Sequence, residues 1–291
     1  MKFKWIHEHR DQPDWTVNVM CSTLSISRSG YYAWTRRKPS KQAQRKVELL
    51  AAARTEYELG RCNYGSPRVH QALNEKGIKV CLNTVAKLMN EAGMAAKCCR
   101  RFCVHTTDSR HDYRPAENLL DQHFVADGPD QKWLCDITYI QTEEGTLYLA
   151  SVLDVYSRKI IGWQMAEHLR AELCLDALSM AIDARRPGTD LIHHSDRGVQ
   201  YACDLYQQLL KENHIVCSMS RRGNCYDNAM MESFHSTYKR ELLYQQPRER
   251  FATKEQAKTM TFEYIEVFYN RQRRHSAIGY ISPEAFEASR N

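Results

Sequence analysis

Residues 133–165 read WLCDITYIQTEEGTLYLASVLDVYSRKIIGWQM, and three β-rich runs stand out in them, at 133–140, 146–153 and 159–165. Val, Ile, Thr and Tyr suit a pleated, half-buried surface. The breaks at Glu143-Glu144-Gly145 and Ser157-Arg158 are short enough to join the runs as an antiparallel meander. Beyond them the period changes. Helical spacing runs over 171–184 and 202–212, apolar strands lie at 191–193 and 215–218, and a further helix starts near Asp227-Asn228.

Three strands, helix, strand, helix, strand, helix is the element order of an α/β, ribonuclease-H-like core, a mixed five-stranded sheet with helices. It is expected over 132–245, with a helical extension over 246–291. Upstream the texture is helical. Ser66-Pro67 opens a helix with Val69, Ala72 and Leu73 on one face and Gly77 at its end, and Asn83 opens a second with Val85, Leu88 and Met89 inside and Gly93 at its end. This predicts a helix-turn-helix domain over 61–104, with Thr84, Lys87 and Asn90 on the outer face, able to reach phosphates or base edges. A plain structural hairpin has the same pattern. Residues 1–60 read as a basic helical region. Within it, Val17, Met20 and Cys21 precede a turn at 25–27 and then Arg28, Tyr31, Tyr32 and Trp34, a vaguer pattern of the same kind. The polar stretch 105–131 reads as a partly ordered linker.

Charge is unevenly placed. Lys and Arg against Asp and Glu number 20 to 9 over 1–110, a net of +11; 11 to 19 over 111–235, −8; and 10 to 7 over 236–291, +3. Basic flanks attract a polyanion, while an acidic centre tolerates phosphates only if cations neutralise some carboxylates. Nucleic acid with metal is the economical reading; solvated charged faces are the plain one. The eleven cysteines are odd in number and include no CxxC pair, so reduced thiols are expected rather than a disulfide framework. Cys98, Cys99 and Cys103 with His105 and His111 form the one local cluster, with poor spacing for zinc. The amino terminus lacks the apolar segment of an export signal and no run reaches the roughly 18 apolar residues of a membrane span, so a cytoplasmic chain is expected.

Three carboxylates lie where elements meet. Asp136 interrupts an apolar strand, where it needs either a salt-bridge partner or a metal. Asp196 follows the strand at 191–193, as a site residue or as a turn cap. Glu232 lies near a helix start, with Lys239 seven positions on and on nearly the same face, as a metal ligand beside a phosphate-seeking cation or as an ordinary first-turn glutamate.

The motifs around them are more specific. Trp133-Leu-Cys-Asp136-Ile-Thr-Tyr139, His194-Ser-Asp196-Arg-Gly-Val-Gln-Tyr201, Gly223-Asn-Cys-Tyr-Asp-Asn228 leading to Glu232-Ser-Phe234, and Tyr269-Asn-Arg-Gln-Arg-Arg-His275 through Pro283 occur in order, with 35 residues between Asp196 and Glu232. In these the chain resembles the second-frame proteins of the insertion-sequence-three family of bacterial DDE transposases, whose core is related to retroviral integrases. The resemblance implies Asp136, Asp196 and Glu232 as the catalytic triad and Lys239 as a contact to DNA ends. Met230-Met231, His235 and Tyr238 depart from the pattern without removing a carboxylate.

An oxygen-only ligand set suits Mg²⁺, or Mn²⁺ as substitute, and two ions are expected to serve an in-line displacement at phosphorus. Water would attack first to free a 3′-hydroxyl at the element's end, and that hydroxyl would then attack another phosphodiester. His193, His194 and Asn228 are expected to orient carboxylates or phosphate, and Arg271, Arg273, Arg274 and His275, beside the aromatic run of Phe262, Tyr264, Phe268 and Tyr269, to contact DNA. The resemblance further implies double-stranded DNA as terminal inverted repeats and target, a homo-oligomer on DNA, and a first-frame protein of the same element as partner. The competing readings are a DNA-binding transposition regulator with an inactive core, and a ribonuclease or retroelement integrase on the same fold.

Overall fold

The computed structural model describes residues 1–96, 116–221 and 224–290, and the chain divides into two compact units, residues 1–54 and 55–291. The Cys98, Cys99, Cys103, His105 and His111 cluster lies outside the described residues.

The first unit packs α1 (Lys2–His9), α2 (Val17–Thr23) and α3 (Arg28–Thr35) around Ile6, Met20, Cys21 and Tyr31. Hydroxyl caps start the two inner helices: Thr16 accepts from the Val19 amide and Ser27 from the Gly30 amide. The unit boundary falls inside α4 (Lys41–Leu59).

The second unit opens with the helix pair α5 (Ser66–Glu75) and α6 (Leu82–Glu91). Their inner faces bury Val69, Ala72, Leu73, Val85, Leu88 and Met89, as the spacing requires. Gly77 and Gly93 take positive φ just past each helix, where a side chain would be strained. The caps sit one or two residues earlier than read from sequence, Gly65 for α5 and Cys81 for α6. The pair is tied to the carboxyl-terminal region. Tyr64 Oη accepts from the Arg274 amide at 3.0 Å, Arg68 Nε donates to the Arg274 carbonyl at 3.0 Å, Arg274 pairs with Glu75, and Arg61 pairs with Glu263.

The core is one five-stranded sheet in the order β3-β2-β1-β4-β5. β1 (Lys132–Thr142), β2 (Gly145–Asp154) and β3 (Ile160–Ala166) form the antiparallel meander, and β4 (Ile192–Ser195) and β5 (Val216–Met219) add in parallel beyond β1. α7 (Ala171–Arg185), the short α8 (Val199–Ala202) and α9 (Asp204–Glu212) cover one face, enclosing Trp133, Cys135, Val152, Leu178 and Tyr206. Gly162 lets α7 lie directly on β3: a Cβ there would stand 2.2 Å from the Ala177 carbonyl oxygen. α10 (Ala229–Glu241), introduced by a 3₁₀ turn at Cys225–Asn228, packs against β1. α11 (Lys254–Phe262) continues as a π-helical stretch, Glu263–Tyr269, and α12 (Pro283–Ala288) follows.

The part of 105–131 that is described, from residue 116, is docked on the core. Leu120 is buried, the Leu119 amide donates to Ser218 Oγ at 2.9 Å, and the Asn118 and Gln122 amides both donate to Asp227. Composition suggested a linker there; its polar side chains are used internally. Among the described residues no helix is long and apolar enough to cross a membrane.

Candidate active site

The sheet register decides the site. β1 and β4 are parallel with Leu134 opposite His194 as their last pair, and Asp136 and Asp196 each follow that pair by two residues. β1 loses its parallel neighbour after Leu134, and β4 itself ends at Ser195, one residue before Asp196. The carboxyl ends of parallel strands are where open α/β sheets place their chemistry.

The third carboxylate arrives on α10, which is fastened to the same strand. Asn228, immediately before the helix, donates through Nδ2 to the Cys135 carbonyl at 3.0 Å, one residue from Asp136. One turn into the helix is Glu232. Its carboxyl is pushed above the ordinary range, first by desolvation and then by the Asp136 charge, which places the two groups within electrostatic reach. Asp136 and Asp196 together also act on the Cys174 thiol on α7, already raised by burial. Lys239, half-buried and two turns beyond Glu232, feels Asp136 as well: desolvation lowers its ammonium pKa and the carboxylate partly restores it.

The carboxylates are held by local bonds. Asp136 Oδ1 accepts from the Ile137 amide at 2.9 Å, and Asp196 Oδ1 accepts from the Gly198 amide at 2.9 Å, a turn that orients it as β4 ends. Asp136 Oδ2 lies 3.4 Å from His235 Nδ1. Among the described residues no three His, Cys, Asp or Glu side chains are drawn tightly enough together to form a metal cage.

The donor chemistry nevertheless fits a hard divalent cation. It is oxygen-only, the Glu232 carboxylate is destabilised by burial and then by its acidic neighbour, and the Asn228 Oδ1 atom is buried beside the site without a hydrogen-bond partner.

Other residues singled out in the sequence are placed differently. Successive strand residues point to opposite faces, and His193 and His194 do so. His193 is enclosed in the core with Nε2 bonded to the Tyr206 hydroxyl, and burial drives its pKa down to about 3. His194 bonds the Ser218 and Ser220 hydroxyls and falls to about 4 for the same reason. Both are neutral, and their side-chain hydrogen bonds join β4 to α9 and β5 rather than to a carboxylate. His235, read from sequence only as a departure from pattern, is the histidine beside Asp136, and its place three residues after Glu232 on one helix face was the available signal.

The arginine cluster also needs correction. Arg273 is 3% exposed and forks onto Glu241, with Nε and Nη2 each 2.8 Å from a carboxylate oxygen. His275 is buried against it, and desolvation together with the Arg273 charge holds the imidazole neutral, its pKa down to about 2. Arg274 is engaged by Glu75 and the Tyr280 carbonyl. Only Arg271 of the four is exposed, 3.4 Å from Glu284. Buried, partnered charges hold the fold together and do not face a ligand. Thr84, Lys87 and Asn90 are all exposed along the outer side of α6, as read.

Asp227 was passed over in the sequence. It is completely buried and accepts from the side chain and amide of Arg221 and from Gln122, which hold its carboxyl far below the ordinary range, and from Asn118. It joins the segment from residue 116 and the end of β5 to the turn that launches α10.

This sheet, with α10 laid across its carboxylate-bearing strand, defines an integrase-type polynucleotidyl transferase core. Two family models described as integrase core domain match residues 126–225 and 213–283, and one described as an HTH-like domain matches residues 44–102. The chain is 40% identical over 289 residues to the transposase InsF for insertion sequence IS3A of Escherichia coli strain K12, covering 99% of this chain and 98% of that one. It is 44% identical over 267 residues to an uncharacterized 31 kDa protein of insertion element IS600 from Shigella sonnei, covering 92% and 97%. The chain belongs to the IS3 family of insertion-sequence transposases. Among solved structures, the catalytic core domain of HTLV-2 integrase in complex with magnesium aligns at a TM-score of 0.44 and 13% identity, over 56% of this chain and 99% of that one.

Proposed function

We propose that Asp136, Asp196 and Glu232 are the catalytic carboxylates of this transposase and hold divalent metal, Mg²⁺ or Mn²⁺, as a pair of ions. The observation that supports this reading is that Asp136 and Asp196 each follow the last β1/β4 pair, Leu134 and His194, by two residues, with α10 pinned to β1 by Asn228. When bound, such ions neutralise the charge that develops on attacking and leaving oxygens of an in-line phosphoryl displacement.

The chain's own groups do the rest. Asp136 and Asp196 are each oriented by a backbone amide. His235 sits on Asp136 Oδ2, fixing its rotamer, and Lys239, on the Glu232 side of α10, offers a cation to a DNA phosphate near the carboxylates. Thr84, Lys87 and Asn90 offer the outer face of α6 to duplex DNA, and Arg271 remains the candidate phosphate contact of the arginine cluster.

The substrate on this reading is double-stranded DNA, as terminal inverted repeats and then target. The products are a freed 3′-hydroxyl at the element's end and its joint with a second phosphodiester. Joining two ends asks for at least two copies of the core, so a homo-oligomer on DNA belongs to the proposal, as do a first-frame protein of the same element as partner and a cytoplasmic location. The domain limits 1–60, 61–104, 105–131, 132–245 and 246–291 remain our division of labour: basic region, DNA-binding pair, connection, core and extension.

The test is Asp136→Asn, near-isosteric and charge-removing. It should abolish metal-dependent nicking of end DNA while leaving its binding intact; unchanged nicking in the variant would overturn the assignment.

A further inference from the structure

We propose that residues 1–41 form a second duplex-DNA-binding module, separate from the α5/α6 pair, which reads DNA with the outer face of α3 and grips phosphates with the basic segment after it. The proposal rests on DNA being the substrate, as argued above. The HTH-like family match begins at residue 44 and leaves this region out.

The architecture is that of a helix-turn-helix closed by a third helix. α2 and α3 are joined by residues 24–27, with Ser25 at φ 52° to tighten the turn and the Ile26 amide donating to the Cys21 carbonyl at 3.0 Å. α1 is clamped close behind them. A Cβ on Gly30 would stand 2.7 Å from Ser27 Oγ and 3.3 Å from the Phe3 ring, so only glycine permits both the cap and the approach. The inner face of α3 is consumed by Tyr31 and Trp34 against Ile6, Met20 and Cys21.

That leaves Ser29, Tyr32, Ala33 and Arg36, at i, i+3, i+4 and i+7, as a single exposed stripe. Its chemistry is a hydroxyl, a phenol that is 45% exposed, a methyl and a guanidinium, the groups that meet base edges and thymine methyls in a major groove. An eight-residue helix is roughly 12 Å long, comparable to the groove's width of about 12 Å.

Charge selects the partner. Residues 1–54 hold eleven Lys and Arg against four Asp and Glu, a net of +7. From Trp15 to Val47 there are seven basic residues and no acidic one. Arg36, Arg37, Lys38 and Lys41 follow directly from the exposed stripe, and all four are exposed. A run of exposed basic residues uninterrupted by acidic ones, following directly from a polar helix face, is complementary to a polyanion rather than to a protein of mixed charge.

The experiment uses the full chain and fluorescence anisotropy on two labelled duplexes, one ending in the element's terminal repeat and one scrambled, across a salt series. Tyr32→Ala/Arg36→Ala should weaken the repeat duplex roughly tenfold and narrow its advantage over the scrambled one. Arg37→Ala/Lys38→Ala should weaken both duplexes alike and reduce the salt slope by about 2. Circular dichroism on each variant confirms that the helices persist. Unchanged affinity and slope in both variants would overturn the proposal. So would a change of sedimenting mass at constant affinity, which would make the stripe a protein interface. Because these assays read binding, and Asp136→Asn reads nicking, the failure of one proposal is distinguishable from the failure of the other.

Discussion

Replacing Arg273 with Ala should unfold the molecule at a lower temperature rather than loosen its hold on DNA. The guanidinium and the Glu241 carboxylate are each 4% exposed in their side chains, and they meet through two bonds of 2.8 Å. Tyr264 adds a third donor to Glu241 at 2.9 Å. Removing one partner of such a pair leaves a buried charge uncompensated, at a cost of about 3–5 kcal/mol. In a unit of this size each kcal/mol lowers Tm by about 2–4 °C, so the fall should be roughly 6–20 °C. Arg271→Ala, at an exposed position, should move Tm little, since exposed pairs contribute about 0–1 kcal/mol. Joint replacement as Arg273→Met/Glu241→Leu should recover part of the loss, because no charge is then stranded. The assay is calorimetric Tm beside end-DNA affinity, measured at a temperature where every variant is folded. An Arg273→Ala protein with unaltered Tm and weakened DNA binding would refute the reasoning and restore the residue to the DNA surface.

Other outcomes follow from the buried network. His193, His194 and His275 have folded pKa values lowered to about 3, 4 and 2. Above the unfolded value of about 6.5 both states are neutral and nothing changes. As pH falls from about 6.5 toward 4 the unfolded chain takes up protons that the folded one refuses, so stability should drop by up to about 1.4 kcal/mol per pH unit for each histidine. Urea unfolding across that range checks this, and His194→Gln should flatten the slope. Asp227 acts in the same direction over a lower window: its folded pKa is depressed, so its contribution is present above about pH 4 and is lost only below it. Asp227→Asn should lower the single-turnover nicking rate more than end-DNA affinity, since the residue fixes the turn that launches α10; equal losses in both would show that it only holds the fold together.

Much of the core was legible because its signals are local. The meander is written in alternating β-formers with short polar breaks, and the α5/α6 pair in apolar spacing closed by Gly77 and Gly93. What stayed hidden depends on partners distant in sequence. Nothing in the run Arg271 to Arg274 distinguishes an arginine bound for DNA from one whose carboxylate lies 32 residues earlier, and the structure divides them by burial. Residues 116–131 look like a connector because Asn118 and Gln122 are polar; only the fold reveals that both serve Asp227. The site was half visible. Asp136 announced itself as a carboxylate in an apolar strand, whereas the parallel pairing that lays the strand before Asp196 along β1 is long-range. His193 and His194 drew attention by proximity in sequence, yet strand alternation itself sends adjacent side chains apart, so at most one of the two could have faced the site.

The fastening of the α5/α6 pair has a mechanical corollary. Tyr64 and Arg68 grasp the backbone of Arg274, the neighbouring Arg273 grips Glu241, and Glu241 closes the same helix on which Glu232 rides. On the function proposed above, a duplex held on the α5/α6 pair would be joined to the helix carrying Glu232 by an unbroken series of bonded groups.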